Sequence, residues 1–294
     1  MKLILLFAFF IGFTQDTLAR LIPTQNINSS RKSWREHKIS ELEKDANYFL
    51  SDSRSYPPIS ISIPSGYGLN FMDFFVNGGL TTKGKSNNHG LDATSVFGLG
   101  LSNLENIFTF ETYVTILDLY GDFAQDGAIG FSASRKLPWY GSSLAVGIFD
   151  LLSWGNNFAV PSYYLAYSNY FKLNSGSRFF RSATLSVGFG NGVFAGASHQ
   201  NFLAGQQGSS FSLGKHDFTK WGLFAGASLN IISWLNLIAD WNGQGLDLGL
   251  TVAPFSKHSL YLSLFMRNIY AKEASSELLY GFSFSYSANF LDIF

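Results

Sequence analysis

With no cysteine to supply a thiolate, combinations of serine, acid and the five histidines, His37, His89, His199, His216 and His258, are where acid–base, nucleophilic or metal chemistry would be sought. No histidine stands in a His-Glu-x-x-His pair, and no Gly-x-Ser-x-Gly elbow presents a serine nucleophile. His199, His216 and Asp217 share one segment without helical or strand periodicity. Such a loop holds a metal only if it orders around the ion, and solvated polar residues are the simpler reading. The stretch "GLTTKGKS" (Gly79 to Ser86) has the spacing of a phosphate-binding loop, with Lys85 and Ser86 at the phosphate and magnesium positions. That chemistry needs a helix to follow, so that backbone N–H groups converge on the phosphates. Here "NNHGLDAT" follows, a turn running into a strand, and the match is read as coincidence. No catalytic set, cofactor or metal site is expected, and the chain is read as not an enzyme.

Another group of charges shares a common setting. Glu111, Lys220, Asp240, Asp247 and Arg267 each fall in a segment that alternates bulky apolar residues with small or polar ones, and each stands on the small, polar phase. "NIFTFETYVTILDLY" puts Phe108, Phe110, Val114 and Ile116 opposite Thr109, Glu111, Tyr113 and Thr115. "GLDLGLTV" sets Leu246, Leu248, Leu250 and Val252 against Asp247, Gly249 and Thr251, and "SLYLSLFM" sets Leu260, Leu262, Leu264 and Met266 against Tyr261, Ser263, Phe265 and Arg267. A period of two is the signature of strands with two different faces.

About twelve such strands are expected, starting near residues 70, 91, 106, 127, 143, 162, 179, 219, 235, 245, 259 and 279. Their connections sort into two classes. "SNLEN", "LPWYGS", "LNSGS", "IISW" and "PFSKHS" are uniformly short, whereas the alternate set includes "KGKSNNHG", "NIYAKEASSE" and the segment from Asn191 to Asp217.

A soluble antiparallel sandwich also alternates, but its outward face is polar and wet. Three features favour a closed membrane barrel instead: an export signal, a scarcity of charge and the long C-terminal alternation from Tyr280 to Phe290. Lys2 followed by "LILLFAFFIGF" and the small-residue site "TLA" before Arg20 has the form of a removable export signal over residues 1–19. Its apolar run is shorter than the roughly 20 residues of a spanning helix. Charged residues make up only 14% of the chain, with formal net charge zero, against about 25% in a soluble domain. Neutrality also gives no electrostatic footprint for nucleic acid. Only a closed β-barrel spans a bilayer with alternate residues apolar.

The resulting expectation is an all-β fold, a transmembrane antiparallel barrel of about twelve strands over residues 65–294. Residues 20–64 form a periplasmic extension. Within it, "SWREHKISELEKDANYFL" has a capping box at Ser33 and Glu36 and an apolar face of Ile39, Leu42, Ala46 and Phe49. That amphipathic helix is either a surface element or a plug or docking element. Pro57, Pro58 and Pro64 mark an extended linker after it.

The chain ends on "YGFSFSYSANFLDIF", with Tyr280, Phe282, Phe284, Tyr286, Ala288 and Phe290 on one phase and Gly281, Ser283, Ser285, Ser287 and Asn289 on the other. This resembles the C-terminal strand of bacterial outer-membrane β-barrel proteins. The resemblance implies an assembly signal at Tyr286, Phe290 and Phe294, read by the outer-membrane insertion machinery; Asp292 departs from the pattern, where an apolar residue is usual. "IPSGYG" with "DFFVNGG", and "LIADWNGQGLDLGLTVAPF", look similar to a family of uncharacterised cyanobacterial outer-membrane barrel proteins, which implies a fold but no activity.

For function, the inward face decides. Eight strands are filled by side chains and about sixteen leave a channel, so twelve lie between. Small inward residues favour an open, weakly selective pore for small solutes. Pairing among Glu111, Lys220, Asp240, Asp247 and Arg267 would close it, and their mixed signs argue against strong ion selectivity. The leading expectation is a passive or weakly selective channel in the bacterial outer membrane, with outer-membrane lipid as its surroundings. A structural or surface-interaction barrel, linked to polysaccharide export, is the alternative, and an outer-membrane enzyme stands third.

Overall fold

The computed structural model describes residues 60–82, 91–104, 108–117, 119, 123–137, 141–155, 161–173, 179–195, 221–255, 259–271 and 277–290. Twelve strands run in chain order: β1 (Asp73–Thr82), β2 (Leu91–Leu104), β3 (Phe108–Ile116), β4 (Gly127–Lys136), β5 (Ser142–Trp154), β6 (Ser162–Lys172), β7 (Ser182–Gly190), β8 (Gly222–Ile232), β9 (Leu235–Trp241), β10 (Gly245–Val252), β11 (Ser259–Ala271) and β12 (Leu279–Asn289). Each pairs antiparallel with the next, and β1 pairs with β12, so the sheet is a closed barrel. The β1, β7 and β8 starts fall at 73, 182 and 222, where the period of two pointed to 70, 179 and 219. The expected fold class and strand number are those observed.

An even strand number brings both ends of the barrel chain to one rim. The turns at 105–107, 137–141, 173–181, 233–234 and 253–258 share that rim, and the connections at 83–90, 117–126, 155–161, 191–221, 242–244 and 272–278 occupy the other. We call these the turn rim and the loop rim. Within "GLTTKGKS", Gly79 to Thr82 pair with β2 residues and Leu91 opens β2, so a ladder occupies part of the stretch that phosphate binding would require as a loop. Residues 1–59, including the expected signal and amphipathic helix, lie outside the described residues, as do His199, His216 and Asp217.

The closing seam runs from Asp73 opposite Asn289 to Thr81 opposite Gly281. At its turn-rim end the Asn289 amide donates to Asp73 Oδ1 at 2.7 Å, and the Phe290 N–H donates to the Met72 carbonyl at 3.0 Å. The Phe74 ring lies 4.5 Å from that of Phe290 and 6.2 Å from that of Tyr286. Two of the three aromatics of the expected assembly signal therefore pack across the seam against the first strand. Phe294 lies outside the described residues.

The two phases separate as side-chain geometry requires. On β7, Leu185, Val187 and Phe189 are exposed while Thr184 and Ser186 are buried; on β11, Leu264 and Met266 are exposed while Ser263, Phe265 and Arg267 are buried. Along β12, Tyr280, Phe282 and Phe284 are exposed, and Gly281, Ser283 and Ser285 on the opposite phase are half-buried. Where the pairing register slips, at Gly100/Ser102, Ile129/Phe131, Asn230/Ile232 and Leu246/Leu248, a bulge bends the strand; past Gly100 and Asn230 one extra residue shifts the alternation, so that Ser102 and Ile232 stand opposite the outward-phase Phe110 and Leu235.

This separation has a measurable consequence in lipid. An arginine replacing an outward residue near the middle of a hydrocarbon-facing band costs about 2–4 kcal/mol, whereas one at Ser285, an inward position that is only half-buried, can reach water. Phe284→Arg is expected to reduce the yield of folded, heat-modifiable barrel in lipid vesicles sharply, and Ser285→Arg to leave it near wild type. Equal yields, read as the folded band on an unheated gel, would refute the assignment of faces.

Candidate functional site: the barrel lumen

The inner wall is made of small residues and of rings laid against it. Five inward glycines stand directly opposite an aromatic residue on the neighbouring strand: Gly98 opposite Phe75, Gly130 opposite Tyr113, Gly147 opposite Tyr164, Gly188 opposite Phe224 and Gly281 opposite Phe265. In each pair the ring occupies the space of the missing Cβ, with ring atoms 2.0–2.2 Å from where it would sit at Gly98, Gly130, Gly188 and Gly281, and 2.4 Å at Gly147. A methyl group there would push the ring off the wall. The pairs cover backbone that glycine would leave bare, and they keep large rings close to the wall.

Four of the five charges expected on the inward phase, Glu111, Asp240, Asp247 and Arg267, lie among the described residues. Arg267 Nε donates to Asp247 Oδ2 at 3.2 Å, and the Asn268 N–H donates to Asp247 Oδ1 at 2.9 Å. This pair joins adjacent strands along the wall and does not bridge the lumen. Asp240 stands directly opposite Asp247 in the β9–β10 ladder but makes different bonds. Glu111 is on β3, on the far side of the strand order from both. Lys220 lies outside the described residues.

Asp240 and Glu111 both bind a stretch of chain that precedes the first strand. The N–H groups of Ile61 and Ser62 donate to Asp240 Oδ2 at 2.6 and 3.1 Å. The single hydroxyl proton of Ser60 is shared between the same oxygen, at 2.9 Å, and the Ile63 carbonyl, at 2.6 Å. Farther along, the Gly66 N–H donates to Ser168 Oγ at 2.8 Å, which in turn lies 2.7 Å from Ser186 Oγ. The Leu69 N–H donates to Glu111 Oε2 at 3.0 Å, and the Ser132 hydroxyl donates to the other oxygen of that carboxylate. Burial, reinforced by the nearby Tyr167 and Tyr170 phenols, pushes the Tyr67 phenol well above its ordinary range, so it stays protonated and donates to the Gly141 carbonyl.

Residues 60–70 thus cross the inner wall from β10 and β9 to β1. Ile61 fills the space beside Gly249, Ile63 the space beside Gly226, and the Asn70 carbonyl the space beside Gly100. None of these residues joins a ladder. Toward the loop rim a second intrusion meets them. A 3-10 turn, Gly192–Phe194, follows β7 and drives Phe194 into a cluster with Ile63, Ala145, Tyr164, Ala166 and Phe224. Ring centres lie 4.7 Å apart for Phe194 and Phe224 and 4.9 Å for Phe149 and Tyr164. The filling is complete at several inward positions: Ala166, Ser162, Ser168, Asp240 and Asp247 have no solvent exposure, where an empty twelve-stranded lumen would leave them wet.

Sequence reasoning found the wall charges because each sits on a strand phase. It missed the course of residues 60–70, where Pro64 read with Pro57 and Pro58 as the mark of an extended linker, and Phe194, which lies just beyond the end of β7. It also missed the glycine–aromatic pairs, which become visible only with the register.

No protein-family model matches the chain, and no curated protein matches it. Among solved structures, an outer membrane channel from Pseudomonas putida F1 aligns with a TM-score of 0.41 and 10% identity over 78% of this chain and 100% of that one.

The Asp247–Arg267 pair yields a stability prediction. Removing one member of a buried ion pair costs about 3–5 kcal/mol, because the other charge is left buried without its partner. Arg267→Met is expected to lower the urea midpoint of the folded barrel in lipid or detergent, and the double variant Arg267→Met with Asp247→Leu to recover much of the loss. A single variant as stable as wild type would show that the pair contributes nothing.

Proposed function

We propose that this chain is a bacterial outer-membrane barrel that acts as a weakly selective channel for small solutes, held closed in the arrangement described above. The membrane part of the reading is supported by the outward phase. From β7 to β12 its residues are Ala, Val, Leu, Ile, Met, Phe, Tyr or Trp, among them the exposed Leu185, Val187, Leu223, Leu237, Leu264 and Phe284. A continuous apolar belt of this kind far exceeds the few hundred Å2 of apolar patch that a protein in water tolerates; hydrocarbon is the solvent that suits it.

The channel part rests on what fills the lumen. An eight-stranded barrel is filled by its own wall side chains. Here the wall offers Gly, Ser and Thr, with rings folded flat, and the volume is occupied by residues 60–70 and the Gly192–Phe194 turn. A wall shaped this way bounds a wide space. The cluster of Ile63, Tyr164, Phe194 and Phe224 favours the second reading, a structural or surface-interaction barrel with a permanently solid interior.

Conductance separates the two. The refolded full chain in a planar bilayer is expected to show steady steps of current with little preference between cations and anions; permanent silence would favour the solid barrel. Cell fractionation should recover the chain with the outer membrane, and a soluble periplasmic pool alone would overturn the membrane reading. Orientation has its own check. An epitope inserted near Gly208, in the 191–221 connection at the loop rim, is expected to bind antibody on intact cells. Labelling only after the outer membrane is breached would reverse the orientation.

A further inference from the structure

We infer that residues 60–70 are a releasable plug, seated on Asp240, Ser168 and Glu111, whose departure from the lumen opens the channel; this rests on the channel reading above. Three observations carry it. First, the barrel closes without the segment. All twelve strand pairings, including the β1–β12 seam, are made by strand residues, and residues 60–70 contribute to no ladder. The wall therefore keeps its hydrogen bonds when the segment leaves.

Second, the fastenings are of a kind that water can replace. Apart from the Tyr67–Gly141 bond, the hydrogen bonds named above between segment and wall run from backbone N–H groups or a serine hydroxyl to wall carboxylates and a serine. When the plug leaves, Asp240 and Glu111 face an aqueous lumen and recover hydration. They are not stranded as buried charges, which separates them from Asp247, already paired with Arg267. Exchange of protein for water hydrogen bonds makes the net hold of each bond modest, as a reversible closure needs.

Third, the wall behind the plug is cut to receive it. Gly249 and Gly226 leave the space that Ile61 and Ile63 occupy, and a Cβ at Gly66 would lie 2.4 Å from the Ser143 carbonyl oxygen, so the segment itself is narrow where it passes β5 and β6. Ile63 also packs in the cluster that holds Phe194. The turn bearing Phe194 is tied to the loop rim by the Gln244 side chain, which donates to the Val193 carbonyl at 2.8 Å, and by the Val193 N–H, which donates to Ser162 Oγ at 3.2 Å.

The absence of native cysteine makes the test clean. A Cβ built at Gly249 lies 3.2 Å from Ile61 Cγ1, one bond from the Ile61 Cβ, so Ile61→Cys with Gly249→Cys places two thiols within disulfide reach. Gly68→Cys with Ser134→Cys, with Cβ atoms 3.2 Å apart, is a second pair should the first disturb folding; a disulfide prefers about 3.8 Å, a small adjustment. Heat-modifiable mobility certifies the barrel in each case, and loss of free thiols on oxidation reports the crosslink. In planar bilayers the oxidised full-length variant is expected to stay closed and the reduced one to open. In the uncrosslinked chain, Asp240→Ala with Glu111→Ala is expected to raise the open fraction by about tenfold or more, since one charge-assisted hydrogen bond alone is equivalent to about that factor. Equal conductance of the oxidised and reduced forms, or thiols that never join in a folded barrel, would overturn the plug and leave the channel reading standing. Silence from the reduced, oxidised and alanine variants alike would overturn both, and make the segment a permanent part of a solid interior.

Discussion

Closure of the backbone ladder is the constraint on which the rest depends. A sheet in hydrocarbon has no water to satisfy its edges, so every strand needs two neighbours. The seam between β1 and β12 provides the last pairing, from Asp73 and Asn289 at one end to Thr81 and Gly281 at the other. Once the seam is made, each strand has one face to the outside and one to the lumen, and a residue's phase determines its solvent. The stacking of Phe74 on Phe290 places apolar contact at the point where the chain meets itself.

Closure also creates a problem of volume. Twelve strands enclose more space than wall side chains of this size fill, and the wall works in the direction of leaving it free. Tyr113, Tyr164, Phe224, Phe265 and Phe75 each rest on a glycine of the neighbouring strand, so the largest inward residues lie along the backbone. The space is taken up by irregular chain, residues 60–70 on one side and the turn carrying Phe194 on the other. Irregular backbone inside a barrel needs hydrogen-bond partners from side chains, and the wall supplies them at Asp240, Ser168 and Glu111.

The lumen acids therefore have two distinct employments. Asp247 is neutralised by Arg267 and the Asn268 N–H, an arrangement within the wall that stiffens β10 and β11. Asp240, directly opposite it, and Glu111, across the barrel, accept from backbone N–H groups of a segment outside the ladder. The same residue type at adjacent ladder positions thus serves the wall in one case and the filling in the other.

The sequence by itself determined the fold class, the number of strands, the strand starts to within a few residues, and the phase of Glu111, Asp240, Asp247 and Arg267. These follow from local rules: a period of two holds for each strand whatever its neighbours are, and an even number of strands returns the chain to its starting rim. Only the tertiary structure decided which inward residues meet. In "SISIPSGYG" (Ser60 to Gly68) the alternation of Ser60 to Ile63 stops at Pro64, too short a period to distinguish a tether beside the barrel from a chain threaded among its charges. Its place is set by contacts to residues as distant in sequence as Asp240. The glycine–aromatic pairs are similarly invisible until the register is known, because a slip of one residue would separate every ring from its glycine. Pattern specifies a face, whereas a contact needs the closed ring of strands that brings distant faces together.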